Sequence, residues 1–218
     1  MASIPTKVQI NEEGPREGFQ IEKGNIPTAR KIELIDSLSQ TGLNRIQIVS
    51  FVNPKAVPGM ADAEEVVEGF NKKPGISYVG LWLNDKGLKR AIDSGRLEVR
   101  GSVSLCASGP FLKRNQNRTM EENIPMQHKT MEMFRQYNVP VTRGAVMAAF
   151  GCNFAGDIPV STVLSLIGHA KEIAGAHDYK LETVTLADTM AWATPASIKR
   201  VVGAVRNSFG KAAAEAKA

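Results

Sequence analysis

The densest group of reactive side chains in this sequence is Glu12-Glu13-Gly14-Pro15-Arg16-Glu17-Gly18-Phe19-Gln20. A guanidinium such as that of Arg16 can stabilise a developing enolate oxygen, and the adjacent Glu17 carboxylate can bind a hard divalent cation. The same two residues also suit an ion pair on a surface turn, and spacing alone leaves both readings open. Pro15 fixes φ, and Gly14 and Gly18 admit conformations closed to other residues, so the backbone is being aimed here. The two cysteines, Cys106 and Cys152, cannot build a disulfide framework, and neither has a Cys-x-x-Cys or helix-start context that would depress its pKa. Free thiols and a reducing compartment are expected. His128, His169 and His177 fall on expected helices or their ends, with no His-x-His pair, and read as surface or boundary residues. Lys113-Arg114-Asn115-Gln116-Asn117-Arg118 reads as a solvated basic loop, with phosphate contact as its alternative role.

The elements that must hold these residues come from hydrophobic periodicity. Short runs rich in Val, Ile and Thr lie at Lys7–Glu12, Arg45–Phe51, Ser77–Leu83, Glu98–Leu105, Val141–Met147 and Leu181–Leu186, as expected for strands of a covered sheet. Amphipathic segments alternate with them. Thr28 can cap a helix with Ile32, Leu34, Ile35 and Leu38 in one stripe. Others are expected over Asp62–Phe70, over Gly87–Ile92, after the capping-box spacing Thr119-Met-Glu-Glu122, from Ser161, and from Thr194-Pro195.

Six consecutive βα units without a composition shift predict an α/β fold with a parallel sheet, as one domain over residues 1–210, followed by a low-complexity helical tail at 211–218. An open nucleotide-binding sheet lacks both its glycine fingerprint and a P-loop, which leaves a TIM-barrel-type repeat as the expected architecture. In such repeats chemistry sits on the loops that follow the strands, where the Arg16 segment falls.

Composition narrows the function classes. The 218 residues are 43 % hydrophobic and 22 % charged, which excludes a disordered, collagen-like or coiled-coil chain. No apolar run spans a bilayer and no secretory or transit segment opens the sequence, so no membrane association and a cytoplasmic location are expected. The formal net charge of +5 is spread out and only 6 % of residues are aromatic, so no nucleic-acid partner is expected.

The residues also carry a resemblance. Gly14-Pro-Arg-Glu-Gly-Phe-Gln20 with Glu22-Lys23 resembles the first-strand motif of 3-hydroxy-3-methylglutaryl-CoA (HMG-CoA) lyases, members of the DRE-TIM metallolyases. Similarity continues through Lys31–Leu38, Val49-Ser-Phe-Val-Asn-Pro-Lys55, Val57-Pro-Gly-Met60, Arg143-Gly144, Phe150–Gly156 and Thr185-Leu-Ala-Asp-Thr189. It implies retro-aldol cleavage of a 3-hydroxyacyl-CoA to acetyl-CoA and a keto acid, with a divalent cation, Mg²⁺ or Mn²⁺, as cofactor. By the same resemblance Arg16 would stabilise the enolate oxygen and Asp188 would share the catalytic role. Gln20, Lys23, Ser50 and Thr189 would contact the acyl-CoA substrate, and Glu17 would ligate the metal.

Departures from the family pattern qualify these expectations. Glu17 stands where the family has Asp, Gln47 where it has a glutamate implicated in the active site, and Ala56 where a large aromatic is common. An amide cannot accept a proton as a carboxylate does. The seventh-strand His-x-His and the following glycine-rich cysteine loop have no counterpart, so six of eight βα units and one of the family's metal-ligand positions, Glu17, are matched. Sheet edges left open by missing units would favour pairing with another chain, so a homo-oligomer is expected. A lyase or condensing enzyme for another acyl-CoA or 2-oxo acid, and a catalytically silent binding scaffold, are the rival readings.

Overall fold

The structure is a computed structural model that describes residues 6–210 and the backbone of 215–217. Its strands are all parallel and alternate with helices, giving the α/β class. The chain divides between Val99 and Arg100 into two compact units where the sequence reads as one continuous repeat. Among the described residues the strands make one two-stranded and one four-stranded sheet, and no closed barrel. No helix of the described residues is long and apolar enough to cross a membrane.

The first unit contains α1 (Gly14–Ile21), α2 (Thr28–Leu38), β1 (Arg45–Phe51), a 3₁₀ turn (Pro58–Met60), α3 (Ala63–Gly69), β2 (Ser77–Trp82) and α4 (Asp85–Asp93). β1 pairs with β2 from Arg45↔Ser77 to Phe51↔Trp82, with a register shift between Gln47 and Val49. Its core joins Ile46, Ile48 and Phe51 of β1 to Ile35 of α2, Val66 and Val67 of α3, and Tyr78 of β2. Burial of such side chains contributes about 1.5–3 kcal/mol each before entropy is counted. The buried Tyr78 hydroxyl donates to Ser39 Oγ at 2.8 Å, so the one polar atom on that ring is satisfied.

Two expectations fail in this unit. The strand expected at Lys7–Glu12 reduces to a single parallel bridge, Glu12↔Ile46, made by Glu12 N–H to Arg45 O at 3.1 Å and Gln47 N–H to Glu12 O at 2.7 Å. Val8 and Ile10 lie 82 % and 63 % exposed, because the β-type alternation here has no further ladder to pair with. The turn expected around Arg16 is helix α1, with Pro15 in its first turn, where a missing N–H costs nothing.

The second unit contains β3 (Gly101–Cys106), α5 (Gly109–Gln116), α6 (Met120–Gln136), β4 (Val141–Met147), α7 (Val160–Gly175), β5 (Thr183–Ala187), α8 (Pro195–Phe209) and β6 (Glu215–Lys217). The sheet order is β3-β4-β5-β6. Thr119 and Glu122 form the expected capping box of α6, and Thr194 with Ser197 one for α8. Met131 and Phe134 of α6 and Val163, Ile167 and Ala170 of α7 are buried beside Val103, Val146 and Leu186 of the sheet. The segment read as a basic loop is helical to Gln116: Ser108 caps α5 by accepting from Phe111 N–H at 3.2 Å, and Pro110 occupies its first turn. Asn117 ends it in the left-handed conformation, φ 53°.

The expected helical tail is corrected where it is described. Glu215–Lys217 pair with Thr185–Ala187 as a strand, since an open edge of β5 offers backbone partners that outweigh helix propensity. Residues 211–214 and 218 lie outside the described residues. His128 and His169 lie in α6 and α7, and His177 follows α7 by two residues. His128 Nδ1 and His177 Nε2 share a hydrogen bond of 2.9 Å.

Candidate functional site

In the first unit the site is built on α1 and β1. The bridge at Glu12 fixes the chain immediately before α1, and the Glu12 carboxylate accepts from Gly14 N–H at 2.5 Å, satisfying one of the unpaired donors of the helix start. That start carries Arg16 back against β1. Arg16 Nε donates to Gln47 Oε1 at 2.6 Å, Nη2 donates to Glu13 Oε2 at 2.9 Å, and Nη1 donates to Glu17 Oε2. The Arg16 side chain is 12 % exposed, against 52 % for Glu13 and 59 % for Glu17. A guanidinium has five N–H donors, and these contacts engage one on each nitrogen. Among the described residues, one donor on each terminal nitrogen is left without an acceptor and suits an oxyanion.

The other expected residues of this unit behave differently. Ser50 is wholly buried in β1, and its Oγ has no hydrogen-bond partner among the described residues. Gln20 Oε1, on α1, is likewise buried and unpartnered. Lys23 lies beyond the end of α1, exposed. The Glu17 carboxylate faces Arg16, and among the described residues no group of three or more His, Cys, Asp or Glu side chains could hold a metal ion. The described residues therefore do not form the divalent-cation site that the resemblance implies.

In the second unit, side chains gather on the loops that follow β3, β4 and β5. Asp188, directly after β5, accepts from Trp192 N–H through Oδ1 at 2.8 Å and from Ala193 N–H through Oδ2 at 3.0 Å. Its carboxylate thus organises the turn that contains Ala191, whose φ is 56°. Thr189 Oγ1 accepts from Ala148 N–H at 2.8 Å, and Ala148 is itself left-handed, φ 54°. Non-glycine residues at such φ cost about 1–2 kcal/mol, so both loops hold strained backbone fixed by Asp188 and Thr189. Trp192 Nε1 donates to Asn153 Oδ1 at 2.6 Å. Gly151, at φ 150°, packs so closely on the Trp192 indole that a Cβ would come 2.8 Å from its Cγ.

Both cysteines are free and buried in this region, and Ser108 links them. Cys106 Sγ lies 3.3 Å from Ser108 O, and Ser108 Oγ lies 3.0 Å from Cys152 Sγ. Ser108 Oγ thus accepts from Phe111 N–H and donates its proton to Cys152 Sγ. Burial pushes the Cys106 thiol up. Burial also acts on Cys152, but hydrogen bonds from Ser108 and from the Phe154 and Ala155 backbone outweigh it and bring that thiol down. The fold thus sets Cys152 beside a helix-capping serine, a context absent from its sequence neighbourhood. Gln47, marked in the sequence as standing at a glutamate position, meets Arg16, whereas Ser108, Asn153 and Trp192 are not among the expected site residues, because each acts on a partner 39 to 44 residues away.

Comparison with known proteins supports the resemblance. The chain is 39 % identical over 203 residues to the mitochondrial hydroxymethylglutaryl-CoA lyase of Gallus gallus, covering 93 % of this chain and 65 % of that protein. It is 38 % identical over 205 residues to the cytoplasmic 3-hydroxy-3-methylglutaryl-CoA lyase of Homo sapiens, covering 94 % of this chain and 53 % of that protein. The chain therefore spans about half to two thirds of the length of these curated relatives. An HMG-CoA lyase of Acinetobacter baumannii, solved with coenzyme A and 3-methylmalate, matches with a TM-score of 0.75 at 34 % identity, covering 95 % of this chain and 65 % of that one. The HMGL-like family model matches residues 7–216, and the chain belongs to that family.

Proposed function

We propose that this chain carries carbon–carbon lyase chemistry of the HMG-CoA lyase type, cleaving a 3-hydroxyacyl-CoA such as 3-hydroxy-3-methylglutaryl-CoA to acetyl-CoA and a keto acid. In such a retro-aldol step the 3-hydroxyl loses its proton as the C2–C3 bond breaks. The bond's electron pair passes to the thioester as an enolate, which is then protonated at carbon. The observation that carries the reading is the guanidinium of Arg16, held by three acceptors with one free donor on each terminal nitrogen. Those donors suit an oxygen that gains charge as the bond breaks, and fixed donors aimed at developing charge are the larger part of most such catalysis. The relative solved with coenzyme A and 3-methylmalate supports an acyl-CoA substrate.

The remaining assignments belong to the same proposal. Gln20, Lys23, Ser50 and Thr189 would contact substrate, and Asp188 would act at the reacting centre. Glu17 would offer one carboxylate to Mg²⁺ or Mn²⁺, and the described residues bring no further acidic, histidine or cysteine ligands to it, so such a site would need donors from outside them. A six-unit TIM-barrel-type repeat, a homo-oligomer and a cytoplasmic location complete the reading. The test is incubation with a panel of 3-hydroxyacyl-CoA thioesters and Mg²⁺ or Mn²⁺, following acetyl-CoA release. Release from a short branched member is expected; none from any member sinks the proposal and favours a binding scaffold.

A further inference from the structure

We propose that the cleft between the first turns of α6 and α7 binds a small hydroxy acid with an apolar chain, at a site none of whose residues the lyase reading uses. The two helices lie side by side against β3. On α7, Ser161, Ser165 and His169 recur at four-residue spacing and so share one face, which lines the cleft opposite Asn123 and Ile124 of α6. Short hydroxyls stand there where two helices would otherwise interdigitate. The space they leave is about 520 Å³, inside the range of roughly 300–1,000 Å³ usual for small-molecule sites.

Two buried polar atoms of residues lining the cleft have no partner among the described residues, Asn123 Oδ1 and His169 Nδ1. Asn123 is 2 % exposed. One turn further along α6, Gln127 is a second buried carboxamide, but its Oε1 accepts from Ser104 N–H at 2.9 Å. The fold thus uses one amide to tie α6 to β3 and leaves the other to the cleft. A buried carbonyl oxygen without a donor is costly, and a ligand hydroxyl removes that cost. A hydroxyl both donates and accepts, so it answers Asn123 Oδ1 and also His169 in either tautomer; an ammonium group only donates.

The carboxylate of the ligand has its place at the start of α7. Pro159 precedes that helix, which has no side-chain cap among the described residues and no acidic residue in its first turn. Its unpaired first N–H groups, with the hydroxyls of Ser161 and Thr162, suit a carboxylate. The start of α6 is satisfied by its own capping box and carries Glu121 and Glu122, so an anion is held to the α7 side. Leu105, Ile124 and Leu166 line the rest of the cleft and suit the apolar chain.

The test is titration of the full chain with 2-hydroxyhexanoate, followed by the side-chain resonances of Asn123 and His169. Saturable binding with a Kd below about 10 mM is expected, weakened about tenfold or more for hexanoate, which lacks the hydroxyl. The amino acid of the same skeleton, 2-aminohexanoate, is expected to bind more weakly than the hydroxy acid. Two variants localise the site, with thermal melts confirming that each folds. Asn123→Leu removes the unpartnered oxygen at similar volume and is expected to weaken binding about tenfold without lowering the melting temperature. Ser165→Leu, at an exposed position, fills the cleft and is expected to abolish binding. Arg16→Ala is expected to bind 2-hydroxyhexanoate as the wild type does, whether or not either form releases acetyl-CoA. No saturable binding, equal binding of hexanoate, tighter binding of 2-aminohexanoate, or binding unchanged in either cleft variant overturns the proposal. Loss of binding in Arg16→Ala places the acid among the lyase residues and overturns it equally.

Discussion

Arg16 and Gln47, thirty-one residues apart in sequence, meet through a 2.6 Å hydrogen bond from guanidinium Nε to amide oxygen. The contact depends on the single bridge between Glu12 and Ile46, which brings the start of α1 against β1. Two backbone hydrogen bonds set the geometry.

The buried ion pair between Lys31 and Asp62 is expected to govern the acid stability of the first unit. Lys31 Nζ donates to Asp62 Oδ1 at 2.6 Å and to Gly59 O at 2.7 Å, and its side chain is 5 % exposed. Burial pushes the Asp62 carboxyl up, but hydrogen bonds from Lys31 and Thr28 and the ammonium charge outweigh it, so the group sits below its ordinary value. A depressed carboxyl contributes stability above its unfolded pKa of about 3.9 and loses it as pH falls through the lower folded value. Lys31→Met is expected to cost about 1–3 kcal/mol at pH 7, because it leaves the half-buried Asp62 carboxylate with Thr28 but without its ammonium partner. Urea denaturation of both forms from pH 7 to pH 3 checks this; the gap between them should shrink below about pH 4.

Removing the Thr189 hydroxyl is expected to loosen the loop that follows β4. Thr189→Val leaves the Ala148 N–H without its acceptor, at a cost of about 1–3 kcal/mol. Ala148→Gly should offset part of that cost, since glycine adopts φ 54° without strain. Chemical denaturation of the two single variants and the double variant measures the coupling.

The two thiols are expected to titrate apart, Cys152 below Cys106. Ultraviolet absorbance of the thiolate, followed against pH in Cys106→Ser and Cys152→Ser, separates them. Ser108→Ala removes a hydrogen bond that favours the Cys152 thiolate and is expected to raise that midpoint. An unchanged midpoint would show that the loop backbone alone sets it.

Gly87 is expected to be intolerant of any side chain. A Cβ there would lie 2.5 Å from Phe51 O and 3.1 Å from Trp82 Cβ, where α4 starts against the ends of β1 and β2. Gly87→Ala should cost about 1–3 kcal/mol by forcing these elements apart. A thermal melt that matches the wild type would contradict the packing described.

Much of the fold is legible in the sequence because β-branched runs and capping residues are local signals. Arg45–Phe51 and Val141–Met147 form strands with the expected bounds, and Thr119 and Thr194 cap the helices they were expected to cap. Two helices escape. In α1, two glycines and a proline in five residues look like a turn, yet Pro15 falls where a helix tolerates it. In α5, the basic run hides the Ser108-Gly-Pro start that precedes it. The Lys7–Glu12 alternation misleads in the opposite sense, since a strand needs a partner that no local pattern reveals. Arg16 and Glu17 stand out by type and spacing. Their anchoring by Gln47, and that of Cys152 by Ser108, comes only with the tertiary fold.

The account turns on Arg16 as the group that stabilises the enolate oxygen, and its most direct test is acetyl-CoA release from 3-hydroxy-3-methylglutaryl-CoA by the wild type and Arg16→Ala under identical conditions. Turnover by the wild type and a loss of kcat of about a hundredfold or more in Arg16→Ala is the expected result. Equal rates in the two proteins, or no release by the wild type, would contradict it.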